Sequence, residues 1–358
     1  MKIGILTFHL AHNYGAVLQC YALQEVLRSM GHDVYVIDYQ QPFMVEYFHP
    51  KRYWGIRSFV SAFIHGNLQD YLYQSRLPYV RNRNFKIFKH RYLRLTDKCY
   101  DIDDIPSMNL YIVGSDQPWN PDLTAGPDLV YYGQFKRPIS SRLISYAISG
   151  SEKAFSKVGW DNVKRYCENF DALSFREESI THKFEELTGR RCETVLDPTL
   201  LTNASLWESL ISHKWANRKY LLLYHVGGPK GVIEAMTTKA RQVAAEQGID
   251  LIDASRYLYS PSDFVSLIYY ATFVITASFH AMAFSIIFQK RFCVVRTGQA
   301  SDVRFESLLK KLDLINKLQA PRDISISEET TNKDCITNTI DYYRNHSISF
   351  IKYQIQKH

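Results

Sequence analysis

His280 stands in the run Val274-Ile275-Thr276-Ala277-Ser278-Phe279-His280-Ala281-Met282, where a short β-branched segment gives way to an apolar one. Phe273 to Thr276 is too short for a helix and reads as a strand covered on both faces. Ser278 is then a helix N-cap, and His280 falls in the first helical turn, among backbone N–H groups that have no partner inside the helix. Such a turn, at the carboxyl end of a parallel strand, favours anions. An imidazole there holds a phosphate or carries a proton. The alternative is a core histidine bonded to nearby backbone, and with 12 histidines in the chain most must be ordinary.

Further polar groups recur at expected strand ends. Arg176 follows the strand Ala172 to Phe175 and precedes Glu177 and Glu178. From there a guanidinium can clamp a carboxylate or phosphate through two N–H bonds, or simply pair with an adjacent Glu. Ser115, Asp116 and Gln117 follow the strand Leu110 to Gly114. His9, His12, Asn13 and Tyr14 follow Ile3 to Thr7, with Gly15 near the next helix start, where backbone can approach a ligand. The loop lacks GxGxxG spacing, so a dinucleotide site is not indicated. In the blander reading Asn13 and Gly15 only make a turn.

Alternating strands and helices must hold these groups. Ala16 to Met30 is an amphipathic helix stopped at Gly31, and Val34 to Asp38 completes a βαβ unit with a right-handed crossover. Leu143 to Ala147 and Thr194 to Leu196 add strands. In the second half Tyr220 to Val226 is a strand with Gly227-Gly228-Pro229 as its exit loop, followed by a helix over 231–247 and a strand from Ile249 to Asp253. Ser260, Pro261 and Asp263 open a capped helix before the His280 strand. A strand ends at Val295, and a helix lies near 305–317. The expected fold is α/β, two Rossmann-like domains facing across a cleft, with parallel sheets and helices on both faces. Pro198 ends regular structure and divides residues 1–198 from 199–335; residues 336–358 form a helix that crosses back to the first domain.

With 358 residues and 46% hydrophobic content, the chain is long enough for two such domains. The formal charge of +7 suits an anionic substrate or membrane surface as readily as nucleic acid. The six cysteines are scattered, with no CxxC and no Cys/His cluster, which fits a reducing cytoplasm and neither a disulfide scaffold nor a zinc site. No run approaches about 18 uninterrupted apolar residues. Residues 43–94 are basic and rich in aromatics, with Arg81, Arg83, Lys86 and Lys89 among many cations against Glu46 and Asp70. That stretch reads first as a solvated helical excursion whose aromatics pack on the domain, with an acceptor cleft or an anionic bilayer as functional alternatives. No nucleic-acid-binding motif accompanies it.

Ordered motifs along nearly the whole chain resemble the polysaccharide pyruvyl transferase family: NYGAVLQ at Asn13 to Gln19, VIDY at Val36 to Tyr39, VGSDQPWN at Val113 to Asn120, SFREES at Ser174 to Ser179, LDPTLL at Leu196 to Leu201 and ITASFHAMAFSI at Ile275 to Ile286. The chain departs from the family's pattern at Pro118, Ala277 and Ala281. The resemblance implies a glycosyltransferase-B-like architecture, phosphoenolpyruvate as donor and a sugar in a polysaccharide or its precursor as acceptor. The product would be a pyruvate ketal across two hydroxyls, with phosphate released. On this resemblance His280, Arg176 and Asp116 are the catalytic candidates. Arg176, Ser278, Phe279, His280 and Gly227 form the donor side, and Asn13, Tyr14, Ser115, Asp116 and Gln117 the acceptor side. The group that protonates the methylene carbon is open among Asp116, Glu177 and His280. No metal and no tightly bound cofactor is expected. Acceptors on lipid carriers would bring an otherwise cytoplasmic protein to the inner face of the cell membrane through residues 43–94. The rival readings are a nucleotide-sugar-dependent glycosyltransferase of the same architecture and, from Ala277 and Ala281, a non-catalytic glycan-binding relative.

Overall fold

A computed structural model describes residues 1–49, 68–256, 258–300, 302–325 and 333–357. Residues 50–67 of the basic stretch lie outside the described residues. The amino-terminal half runs β1 (Lys2–Leu6), α1 (Tyr14–Ser29), β2 (Asp33–Tyr39), α2 (Pro42–Tyr47), α3 (Leu68–Tyr92), β3 (Leu95–Cys99), β4 (Leu110–Val113) and β5 (Arg142–Ser145). Its strands pair in parallel in the order β3-β2-β1-β4-β5. After α4 (Glu152–Val158) and α5 (Trp160–Cys167), isolated bridges at Ala172 and Phe175 attach a further parallel pair, β6 (Leu173–Phe175) and β7 (Cys192–Thr194), with α6 (Glu178–Thr188) between them.

The carboxyl-terminal half runs α7 (Ala204–Glu208), β8 (Tyr220–His225), α8 (Lys230–Glu246), β9 (Asp250–Asp253), α9 (Pro261–Tyr270), β10 (Phe273–Ala277), α10 (Phe279–Ile287), β11 (Phe292–Val295), α11 (Asp302–Lys311) and β12 (Leu318–Gln319). Its sheet is also parallel, in the order β12-β11-β10-β8-β9. These are two Rossmann-like units. Every residue of β4, β10 and β11 is buried, which is why those strands read as unbroken apolar runs.

One core runs continuously through both halves. Helix α1 lies at their junction: Tyr14 stacks on Phe264 with ring centres 4.3 Å apart, and Tyr21 meets Trp207 at 5.9 Å. Helix α3 adds Phe85 and Phe88 to that core, and its Asn84 side chain donates to the Leu258 carbonyl in the other half. The last helix, α12 (Lys333–Gln356), packs back on the amino-terminal half. Its Gln354 carbonyl accepts from Arg142 at 2.6 Å, and Ser347 Oγ accepts from the Leu196 amide at 2.9 Å. The halves are thus held together by buried apolar surface.

Several element bounds differ from the sequence reading for local reasons. Helix α1 starts at Tyr14 because the Asn13 side chain caps it, accepting from the Gly15 amide at 2.9 Å. β5 ends before Ala147, whose φ of 52° leaves the extended region. Helix α11 runs over Asp302–Lys311 and not 305–317, because Asp313, at φ 54°, turns the chain away. The start of α9 is a full capping box, with Ser260 and Asp263 each accepting from the other's amide.

Candidate active site

Strand β10 delivers Ser278 as the N-cap of α10, its hydroxyl accepting from the Ala281 amide. His280 therefore sits in the first turn, buried, with the Phe279 and His280 amides preceding the first backbone bond of the helix, from Met282 N–H to the Ser278 carbonyl. The imidazole reaches across to the other half. Its Nε2 lies 3.4 Å from Asp197 Oδ2, and the ring rests on Gly15 at the start of α1. A Cβ built on Gly15 would stand 1.9 Å from His280 Nδ1 and 2.3 Å from Cγ. Only glycine leaves room for the ring, so Gly15 serves the approach of His280 and not, as the loop first suggested, that of a ligand.

Asp197 is the fixed point behind the histidine. Its carboxylate is fully buried, with Oδ1 accepting from the Thr199 amide at 2.9 Å and the Thr199 hydroxyl at 2.6 Å. Oδ2 pairs with Arg176 Nη2 at 2.7 Å. Burial alone would raise this carboxyl, but the Arg176 guanidinium and the nearby His280 ring, with the hydrogen bond from the Thr199 hydroxyl, hold it well below the usual carboxylate range. Arg176 Nη2 also donates to Ser115 Oγ at 2.6 Å, and its guanidinium lies 4.8 Å from the centre of the Phe279 ring.

The two sheets turn their strand ends to a common cavity of about 430 Å³, a size ordinary for a small-molecule site. From the amino-terminal half it is lined by Asn13, Asp116 and Gln117, with an apolar side of Phe8, Phe43, Tyr47 and Phe48. From the other half come Gly227, Ser278, Phe279 and His280, joined by Thr297, Gln299 and Arg304. Asp116 has a φ of 71°, a conformation Asp tolerates better than most residues, and Gly227 has a φ of 112°. Burial lowers the Arg304 guanidinium, against the pull of Asp116, Glu177 and Asp197, while Arg176 pushes the same way as burial.

Not every expected site residue reaches this cavity. Tyr14 is fully buried in the aromatic stack and donates to the Tyr259 carbonyl at 3.1 Å, so it joins the halves and does not line the cavity. Ser115 is completely buried under Arg176 and Asp197. Arg176 itself lies behind the wall, screened by Phe279. Glu177 is buried as well, with Oε1 accepting from the Ser149 hydroxyl at 2.7 Å and Oε2 from the Gly150 amide at 3.3 Å; burial pushes its carboxyl up despite Arg176. Asp197, next to the Pro198 boundary, and Arg304, just ahead of the helix expected near 305–317, are the additions. The LDPT motif was the available signal for the first.

Two Rossmann-like halves with parallel strand ends meeting over a shared cleft define a glycosyltransferase-B-like α/β protein. The chain belongs to the polysaccharide pyruvyl transferase family, whose model matches residues 13–299. Its solved likenesses are distant. It is similar to a spinosyn rhamnosyltransferase at 10% identity, with 99% of each chain covered and a TM-score of 0.45. It is also similar to a UDP-GlcNAc 2-epimerase from Methanocaldococcus jannaschii at 10% identity, covering 96% of this chain and 93% of that one, with a TM-score of 0.45. No curated protein matches the chain. Among the described residues no helix is long and apolar enough to cross a membrane.

Proposed function

We propose that the protein transfers the pyruvyl group of phosphoenolpyruvate onto two hydroxyls of a sugar in a polysaccharide or its precursor. The observation that carries this reading is His280, held by buried Asp197 in the first turn of α10, across a cavity from Asn13, Asp116 and Gln117. Phosphoenolpyruvate brings a phosphate and a carboxylate close together, and the unpaired amides of a helix start, with cationic side chains beside them, suit both. His280 delivers a proton from Nδ1 to the methylene carbon while Asp197 fixes the ring and offsets its charge. Positive character develops at the neighbouring carbon, and a sugar hydroxyl adds there, its proton passing to Asp116. Phosphate leaves as the second hydroxyl closes the ring, taking up that hydroxyl's proton. The second hydroxyl proton leaves with phosphate; Asp116 then releases the first to solvent, and His280 takes up a proton from solvent, which restores both groups. Phe8, Phe43, Tyr47 and Phe48 offer apolar faces to the sugar's C–H surfaces.

The exposed side of α3 supports contact with an anionic membrane surface carrying a lipid-linked acceptor. Arg76, Arg83, Lys86 and Arg91 are exposed there beside Tyr79, Val80 and Ile87, and the sequence from 71 to 96 contains no Asp or Glu. Donor choice is the test of the main reading: phosphoenolpyruvate, and not UDP-sugars, is expected to raise the melting temperature of the wild type but not of His280→Ala. Stabilisation by a nucleotide sugar alone would replace the reading with glycosyl transfer.

A further inference from the structure

Two arginines stand near the donor side of the cleft, and their surroundings differ. Arg176 does not line the main cavity; it lines a void of about 20 Å³ behind Phe279, shared with Glu177, Asp197, Arg304 and Lys311. That space admits a water and not a phosphate or carboxylate. Its Nη2 is engaged by Ser115 and Asp197, while its Nε and Nη1 are buried behind Phe279 without a hydrogen-bond partner among the described residues, where the void leaves no room for an anion. Arg304 lines both this void and the main cavity, where it stands with Gly227, Ser278, Phe279 and His280. Among the described residues no carboxylate lies within 4.0 Å of its guanidinium, although Asp116, Glu177 and Asp197 act on it at longer range.

The turn that leads into the helix of Arg304 is tied down. The buried Asp302 carboxylate accepts from the Thr297 amide at 2.9 Å, the Thr297 hydroxyl at 2.6 Å and the Gly298 amide at 2.8 Å. Gly298, at φ 71°, makes the turn that allows this. Arg304 follows two residues later in the first turn of α11. A half-buried guanidinium on a cavity wall, anchored at its base and without a paired carboxylate, retains its fork of N–H groups for an anion.

The geometry points to Arg304 as the direct donor contact, holding an anionic group of phosphoenolpyruvate against the first turn of α10, and to Arg176 as a positioning residue acting through Asp197 on His280. This inference rests on the pyruvyl-transfer reading, and its test separates the two. Melting temperature with and without phosphoenolpyruvate, and steady-state phosphate release across pH, would be measured for wild type, Arg304→Gln, Arg304→Lys and Arg176→Lys. Each variant's own unliganded melting temperature serves as its reference, so a change in stability does not obscure binding.

Arg304→Gln is expected to lose the donor-induced shift and to raise the phosphoenolpyruvate KM by about 10- to 100-fold, the loss of a charge-assisted hydrogen bond. Arg304→Lys, which keeps the charge without the fork, falls between it and wild type. Arg176→Lys keeps the donor-induced shift but lowers kcat and moves its pH profile, because the group behind Asp197 and His280 has changed. A normal shift and KM in Arg304→Gln overturns the inference and leaves the pyruvyl reading standing. So does an Arg176→Lys that loses the donor shift with an unchanged pH profile. A wild type indifferent to phosphoenolpyruvate overturns both.

Discussion

Replacing Gly15 by Ala places one methyl group against the ring of His280, and the structure gives the size of the conflict. The added Cβ would lie 1.9, 2.3 and 2.5 Å from Nδ1, Cγ and Cε1, where ordinary contact begins at 3.4 Å. The shortfall at Nδ1 is 3.4 − 1.9, so the ring must retreat by roughly 1.5 Å, away from α1 and out of line with Asp197. A displacement of that order costs on the order of 100-fold in turnover where geometry is catalytic. Stability is pulled two ways. Alanine favours the helix by up to about 1 kcal/mol, whereas forcing a group into a filled site costs about 1–3 kcal/mol. In a His280→Ala background the obstacle is gone and only the favourable part remains. The assay is a double-mutant cycle in thermal or urea unfolding, with phosphate release from phosphoenolpyruvate measured alongside. Gly15→Ala is expected to be neutral to destabilising by up to about 2 kcal/mol alone, and stabilising when His280 is absent, with a coupling of about 1–3 kcal/mol. The same effect of Gly15→Ala in both backgrounds, together with undiminished turnover, would refute the contact between the halves.

Asp197→Asn leaves the buried Arg176 guanidinium without its partner and is expected to destabilise the protein by about 3–5 kcal/mol, read as a lower urea midpoint at pH 7. Because the folded state holds this carboxyl below its unfolded value, its contribution is full above about pH 5 and is lost as pH falls through the acid range; the stability difference between wild type and Asp197→Asn should shrink over that window, and a constant difference would contradict the ion pair. For α3, wild type is expected to sediment with anionic liposomes at low salt and to be released at high salt. Equal pelleting of a variant neutralised at Arg76, Arg83 and Lys86 would sink the membrane proposal.

The parts of the fold that were legible are those whose signals are local. Strand β10 and helix α10 could be read because full burial on both faces makes an apolar run, and Ser260 and Ser278 could be read because capping is decided within three residues, whereas the Asn13 cap, set in a longer polar loop, reads as a turn. Strand β3, with its polar Thr96-Asp97-Lys98, lies at a sheet edge with much of its surface open, so the pattern of a buried strand is absent. Its neighbour in space, β2, is far more apolar and was expected. The site followed the same rule. Spacing set Asn13, Asp116, Arg176 and His280 at strand ends, but it does not say on which side of the cavity wall a side chain lies. Tyr14 went to the core because a Tyr beside Phe264 and Phe85 buries more apolar area there than at the cleft. Arg176 went behind Phe279 because a buried carboxylate was waiting for it. The contacts of His280 with Asp197 and Gly15 join segments remote in the chain, and no local pattern encodes them.

The most direct test of pyruvyl transfer is the melting temperature of the purified protein with phosphoenolpyruvate, with UDP-sugars and CMP-sialic acid in parallel, for wild type and His280→Ala. A ligand that binds only the folded state must raise it. The account predicts a rise with phosphoenolpyruvate in the wild type, none in His280→Ala, and none with the nucleotide sugars. No rise with phosphoenolpyruvate, beside a clear rise with a nucleotide sugar, would contradict it.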